Sequence, residues 1–214
     1  KTAYEILTCD WSSDVCSSDL ARARGQYVRF LDSDDWLEPG ANDAQIAIAR
    51  ETGADILLGD YRTFDDRTGA STDATLVAND DFIAQQLGEG EYSHYSAFLF
   101  RREFIRDIPH RPEFLAVDDR MFVLEAALRH PRLATYRGTV LVHRHHDRGR
   151  LQAPNTMQAE IPIVRAEHAI YAKVTAQLQE RNELTERRKR ALAGLLWPLA
   201  HRMARHRSEE HTSE

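Results

Sequence analysis

The chain has very little cysteine and no long apolar run, and each shortage excludes a class of protein. Its two cysteines, Cys9 and Cys16, both lie near the N-terminus. The rest of the sequence can therefore form neither a disulfide framework nor a zinc–thiolate site. Because no stretch of about 18 apolar residues is present, the sequence predicts no membrane-spanning helix. A cysteine-free body of this length fits a cytoplasmic protein with one sizeable core.

The two ends of the chain show no helical or strand period. Residues 10–20 and 207–214 back-translate into strings of which the second is the reverse complement of the end of the first. These strings resemble a sequencing-library adapter, and the inverted repeat favours that origin over a genuine low-complexity terminus. We therefore interpret residues 1–20 and 207–214 as adapter-like and exclude them from fold predictions.

Excluding the ends also removes most of the net charge. The formal charge is −6, and five of the six excess negative charges lie in the two excluded segments. The body, residues 21–206, is therefore close to neutral. Nothing in this charge balance predicts nucleic-acid binding.

The body begins with the order strand, acidic loop, helix, strand. Residues 26–32 read as a buried strand, residues 41–53 as a helix that ends at Gly53, and residues 54–64 as a second strand. This order is typical of an α/β sheet with crossover helices. Further along, the pattern predicts a helix over residues 119–129, in which Met121, Leu124, Ala127 and Leu128 share one apolar face.

The remaining elements are a strand and two helices. Residues 134–146 alternate like a strand around Gly138. From Met157 onward the pattern is helical, with one helix to about Arg181 and a second from about Thr185. The second helix is basic, and we expect it either to pack on the domain and kink or stop near Pro198, or to contact an anionic membrane surface peripherally.

Three carboxylates, Asp32, Asp34 and Asp35, follow the first strand directly. In open α/β sheets, ligands bind beyond the carboxyl ends of the strands. Mg²⁺ and Mn²⁺ take oxygen ligands, often carboxylates together with substrate phosphates. The loop therefore suits a metal–diphosphate site. From spacing alone, a helix N-cap with solvated neighbours explains the pattern equally well.

Four segments in order resemble the family 2 glycosyltransferases of the GT-A fold. They are "ARARGQYVRFLDSDDWLEPGA" (21–41), "FLFRREFI" (98–105), "AVDDRMFVLEAAL" (116–128) and "VLVHRHHDRG" (140–149). The resemblance implies an incomplete GT-A, Rossmann-like α/β sheet over residues 21–150, followed by a C-terminal helical extension over residues 151–206. The family's first strand and its uridine-binding residues would precede residue 21 and are absent.

The resemblance also implies an activity and a metal. Such enzymes transfer a sugar from a nucleotide-diphospho-sugar to an acceptor hydroxyl, which would belong to a saccharide or a lipid-linked acceptor in cell-envelope polysaccharide or glycan synthesis. Asp34 and Asp32 match the ligands of Mg²⁺ or Mn²⁺, and Asp35 matches a supporting contact to the donor. A location in the cytoplasm, or peripherally at the inner face of the membrane, fits this role.

The later segments supply the other expected site residues. Asp119, with Asp118 before it, matches the base that accepts the acceptor proton and gives inversion at the anomeric carbon. Without the resemblance, the same pair reads as a helix N-terminus with favourable acidic residues. Arg144 and His145 match a contact to the diphosphate, and the sequence leaves open whether His145 or His146 takes the family's position.

Two other functions compete with this interpretation. An Asp-x-Asp phosphatase would need a suitably placed lysine, and after Lys1 only Lys173 and Lys189 are available. A non-catalytic binding module or inactive fragment is the stronger alternative, because the expected nucleotide-binding half of the sheet is missing. We therefore expect this chain alone to be poorly active and to leave an apolar sheet edge uncovered.

Overall fold

A mixed β-sheet lies at the centre of the computed structural model, which describes residues 4–9, 19–76, 79–90, 94–114, 117–146 and 157–210. Within those residues the sheet has seven strands in the order β1–β2–β6–β4–β7–β3, with β5 paired to β4. The strands are β1 Tyr4–Cys9, β2 Tyr27–Asp32, β3 Trp36–Leu37, β4 Ile56–Asp65, β5 Ser71–Ala74, β6 Leu99–Arg101 and β7 Leu133–His145. The helices are α1 Ala41–Thr52, α2 Phe82–Gln86, α3 Arg102–Ile105, α4 Asp118–Ala127, α5 Met157–Glu180 and α6 Glu186–Glu210.

The predicted strand–helix–strand unit is confirmed, with one addition. Helix α1 connects β2 to β4 and ends at Gly53, whose φ of 66° is a left-handed conformation that suits glycine. Between β2 and β4 lies β6, which is antiparallel to both of them. The sheet is therefore mixed, and its α/β class agrees with the sequence prediction.

Part of the N-terminal segment, which was excluded from the fold predictions, forms a strand. Strand β1 pairs in parallel with β2 along its whole length, from Tyr4 opposite Tyr27 to Cys9 opposite Asp32. The expected uncovered edge of β2 is thus covered. A sheet edge offers unpaired backbone N–H and C=O groups to any extended segment, so this pairing does not need a strand-like side-chain pattern.

The C-terminal segment departs from its prediction as well. Helix α6 continues through Pro198 to Glu210 and so includes the first part of the segment 207–214. The two adapter-like segments otherwise fall on residues 10–18 and 211–214, which lie outside the described residues. The tail of the last family-like segment, residues 147–149, lies outside them too.

The two faces of the sheet are covered unequally. Helix α1 packs on one face, where Ile46 and Ala49 meet Tyr27, Leu57 and Leu99. The other face carries the larger core, to which α2, α4, α5 and α6 all contribute.

Helix α4 was predicted to be amphipathic, but its sides are buried almost all round. In addition to the predicted face, Phe122, Val123 and Ala126 are at most 3% exposed. The reason is that α4 belongs to the core formed between the sheet and the C-terminal helices.

Basic residues of α6 are engaged within the fold. Arg187 pairs with Glu89 and Asp80, and Arg188 pairs with Asp81. These contacts favour a helix packed on the domain over a helix laid on a membrane. None of the helices in the described part of the chain combines the length and apolarity needed to cross a membrane.

Candidate active site

The acidic loop is fixed to the end of strand β7. Strand β2 ends at Asp32, and the amide of Asp35 donates a hydrogen bond to the Asp32 carbonyl at 3.1 Å, which closes the turn. The two residues of β3 then pair with β7, with Trp36 opposite Val142. This pairing places the carboxylates beside the histidine-rich end of β7.

Asp35 is a fully buried acceptor inside this junction. The Nδ1 atom of His143 lies 3.1 Å from Asp35 Oδ2, and the backbone N–H of Arg144 donates to Asp35 Oδ1 at 2.8 Å. The buried charge of Asp35 is thus met by donors, as a buried carboxylate requires. Asp35 therefore holds the loop and His143 in place.

Asp34 points to a different histidine. The Nε2 atom of His146 lies 2.7 Å from Asp34 Oδ2, although the two residues are 112 positions apart in sequence. The ring of His145 is 4.9 Å from that of His143, and its side chain is exposed. Of the two histidines that the sequence left open, His146 contacts the acidic loop through Asp34.

Arg144 was predicted to contact a diphosphate. That contact stays a prediction; the guanidinium of Arg144 forms an ion pair with Asp66, with nitrogen–oxygen distances of 2.6 and 2.7 Å. Its backbone N–H, as described above, binds Asp35. In this structure Arg144 contributes to the site through its backbone.

Asp32 and Asp119 face a common region. Burial, together with the negative charges of Asp35, Asp119 and Asp34, raises the pKa of Asp32 to about 7. The geometry links Asp119 to the loop through His94, whose ring lies 4.3 Å from that of His143 and which lines the same cavity as Asp119. A carboxyl group with a pKa near neutrality in such a cluster is a common feature of functional sites.

The two acids at the start of α4 have different environments. Burial is the main cause that raises the pKa of Asp119 to about 6, and the neighbouring charge of Asp118 adds to it. Asp119 Oδ1 accepts a hydrogen bond from the Arg120 amide at 2.7 Å. Asp118 instead lies 3.6 Å from Nδ1 of His110, a buried ring stacked on Phe122.

A cavity of about 370 Å³ lies beside Asp119. Its size is within the range of about 300–1,000 Å³ that is usual for small-molecule sites. Asp119 lines it and Asp118 does not. The other polar or aromatic side chains that line it include Gln86, His94, Tyr95, Arg120, Glu167, Tyr171 and Arg202.

Histidine 94 is a site residue that sequence reasoning missed. Its ring centroid is 4.3 Å from that of His143, and it lies at the start of the 3₁₀ turn Tyr95–Ala97. One potential ligand atom from each of Asp35, His94 and His143 lies within 4.8 Å of the others, so these three residues could hold a metal ion. A single histidine without a second ligand at a fixed spacing gives no signal, so the pattern of the sequence could not have identified it.

Comparisons with known proteins show what the chain is similar to. Residues 19–109 match the family model for glycosyl transferase family 2. The sequence is 27% identical over 186 residues to EpsH of Bacillus subtilis (strain 168), a glycosyltransferase by name, and the match covers 82% of this chain and 52% of EpsH.

Solved structures agree on the fold. The TarS 1–349 structure from S. aureus, in complex with UDP-GlcNAc, superposes with a TM-score of 0.58 at 18% identity and covers 85% of this chain and 51% of that one. A second S. aureus TarS structure gives a TM-score of 0.52 at 16% identity, over 75% of this chain and 26% of that one. The chain thus spans about half the length of EpsH and of TarS 1–349.

Proposed function

We propose that this chain is a family 2 glycosyltransferase, as its match to that family model and its likeness to EpsH support, and that the full protein transfers a sugar from a nucleotide-diphospho-sugar to an acceptor hydroxyl. The observation that carries the proposal is the position of Asp119. It lies close enough to the acidic loop to raise the pKa of Asp32, and it also lines the cavity. A donor on one side and an acceptor on the other would meet between these groups.

The donor class follows from the loop and from one relative. TarS has been solved with UDP-GlcNAc, which supports a nucleotide sugar as the donor of this protein too. Asp32 and Asp34 would face the diphosphate end of that donor. We assign the acceptor to a saccharide or a lipid-linked saccharide of cell-envelope polysaccharide or glycan synthesis, by analogy with the family.

The side chains at the loop are of the types that bind a divalent cation. Among the described residues, Asp35, His94 and His143 have ligand atoms within 4.8 Å of one another, and the family resemblance adds Asp34 and Asp32. Asp34 and Asp32 would hold it, and His146 adds an imidazole nitrogen in contact with Asp34. A mixed oxygen and nitrogen set suits Mn²⁺ better than Mg²⁺, which prefers oxygen ligands alone. When bound, such an ion would offset the negative charge that develops on the departing diphosphate.

Asp119 is suited to act as the general base. With a pKa near 6 it is mostly ionised at neutral pH and still basic enough to accept a proton. One carboxylate oxygen of Asp119 would take the hydroxyl proton as the acceptor oxygen forms a bond to the anomeric carbon. The bond between that carbon and the diphosphate oxygen breaks at the same time, and the configuration inverts.

The test is an assay of the full protein with a nucleotide sugar, followed through release of the nucleoside diphosphate. We expect Asp119→Asn to lower kcat by about 10²- to 10⁴-fold, because the variant cannot accept the proton. Nucleotide binding should persist, since Asp119 lies on the acceptor side.

The matched control is Asp118→Asn. This acid turns towards His110 and does not line the cavity, so its loss should affect kcat much less. Equal losses in the two variants would remove Asp119 from its role as the base. Absence of turnover with every nucleotide sugar would remove the proposed activity.

A further inference from the structure

The cavity beside Asp119 has a second wall, formed by the C-terminal helices, and both this wall and Asp119 lie beyond the segment matched to the family. Residues 19–109 carry the match, whereas Glu167, Tyr171 and Arg202 belong to α5 and α6. All three side chains line the same cavity as Asp119. Groups on this wall face whatever molecule brings its hydroxyl to Asp119.

Arg202 connects α6 to α5 in this wall through two ion pairs. Its Nε atom lies 2.8 Å from Glu160 Oε1, and its NH1 atom lies 2.9 Å from Glu167 Oε2. The two glutamates are seven residues apart, which is about two turns, so they lie on one side of α5. Glu167 lines the cavity and Glu160 does not. Arg202 therefore pairs with the carboxylates of Glu160 and Glu167, of which that of Glu167 lies at the cavity.

The cations of the cavity are already engaged. Arg120 donates to the side chain and backbone carbonyl of Gln86 and to the hydroxyl of Tyr171. Arg202 is bound by its two glutamates. The carboxylates of Asp119 and Glu167 thus face the cavity while both guanidinium groups have protein partners. Because the guanidinium N–H groups described above already have protein acceptors, an anion could gain a hydrogen bond from them only by displacing one of these partners, and it would lie beside the carboxylates of Asp119 and Glu167. A hydroxyl group could instead donate to the same carboxylate oxygens.

We propose that Glu167, held in place by Arg202, recognises the acceptor and selects an uncharged, hydroxyl-rich saccharide over an anionic one. The inference rests on the proposed function, since it assigns the acceptor side of that site. The C-terminal helices then serve as the specificity wall of the site as well as a cover for the core. Glu167 acts through hydrogen bonds to the acceptor and takes no part in proton transfer.

The experiment compares two probes that differ at one carbon. Methyl β-D-glucoside and methyl β-D-glucuronide are titrated into the full protein in the presence of UDP, and dissociation constants are measured by ligand-observed NMR. We expect the wild-type protein to bind the glucoside at least about tenfold more tightly. In Glu167→Gln the glucoside should bind about three- to tenfold more weakly, and the glucuronide should bind more tightly.

The matched control is Glu160→Gln, which also removes one carboxylate from Arg202 but does not alter the cavity lining. This variant should keep the wild-type preference, whereas a purely structural role would make the two variants behave alike. Equal behaviour of the variants, a wild-type preference for the glucuronide, or no binding of either probe would overturn the inference. Because binding is read without turnover, a selective glucoside site in a protein that consumes no nucleotide sugar would contradict only the proposed function.

Discussion

Two groups of acidic side chains in this molecule have opposite electrostatic surroundings. At the site, Asp32 and Asp119 are buried near other carboxylates, and their pKa values rise to about 7 and about 6. At the junction of α2 and α6, hydrogen bonds from Arg187 and Asn79 hold the pKa of Glu89 down to about 2. The same chemical group thus opposes folding in one place and supports it in the other.

The difference shows where the chain uses its cations. Arg187 and Arg188 attach α6 to Asp80, Asp81 and Glu89. The site, in contrast, keeps its acids close together in a buried place, where a cation or a proton would stabilise them. Buried carboxylates that destabilise the fold are typically found where a bound ligand offsets their negative charge.

The largest expected effect is the pH dependence of the free energy of unfolding that the ionisation of Asp119 causes. Its folded pKa is about 6, against about 4 for an unfolded aspartate. The folded protein therefore holds the proton more tightly, and the free energy of unfolding should fall as pH rises from about 4 to about 6. The loss is about 3 kcal/mol for a shift of about two units, and it is complete above the folded pKa.

Urea denaturation of the metal-free wild type and of Asp119→Asn, each at pH 4 and pH 8, measures the contribution of Asp119 to the free energy of unfolding. Asp119→Asn should be more stable than the wild type at pH 8 and should lose less stability between the two values. Asp118, Arg120 and His110 act on Asp119 and remain in the variant. Asp32 remains too, but its pKa should fall in the variant because the charge of Asp119 is lost. If Asp119→Asn were less stable than the wild type at pH 8, the ionised carboxylate of Asp119 would not destabilise the fold as we expect.

A smaller effect concerns the cation expected at the loop. His146 contacts Asp34 at 2.7 Å, whereas His145 is exposed and its ring lies 4.9 Å from that of His143. His146→Ala should weaken the activating affinity for Mn²⁺ by at least about tenfold, since even residues that only support metal ligands contribute about that much. His145→Ala is the matched control and should change the Mn²⁺ titration little. If both substitutions change the affinity for Mn²⁺ equally, His146 is not the histidine that supports the cation.

Much of the fold could be predicted because its signals are local. The apolar run before Asp32, the glycine that ends α1 and the period of α5 depend only on neighbours in sequence, and each element lies where it was expected. The parallel arrangement of β2 and β4 follows from the helix between them. The insertion of β6 between those strands had no local signal.

The site was predictable only in part, since its contacts are between residues far apart in sequence. The acidic loop and Asp119 were found through the family-like segments. The pairing of Trp36 with Val142 brings His143 and His146 to the loop, and no periodicity reveals a two-residue strand. The opposite environments of Asp118 and Asp119 depend on His110, which sequence reasoning did not consider.

The smallest expected effect concerns Asp81, one of the acids whose surroundings stabilise the fold. Its carboxylate caps α2 by accepting from the Ala84 amide at 2.9 Å, and it pairs with Arg188 at the same distance. Burial alone would raise its pKa, but the hydrogen bonds of Arg188 and Ala84 outweigh burial and lower it. Its contribution to stability is therefore present above the unfolded pKa of about 4 and is lost as pH falls below that value.

Two substitutions separate the cap from the ion pair. Asp81→Asn keeps a good N-cap and removes only the charge, whereas Asp81→Ala removes both and should cost about 1 kcal/mol more. Asp80→Asn is the control, because Asp80 is 84% exposed and its pair with Arg187 should contribute little. Denaturation midpoints at pH 7 would rank the three variants. If Asp81→Asn were instead to stabilise the protein, as expected for Asp119→Asn, the two groups of acids would not differ in the way their surroundings indicate.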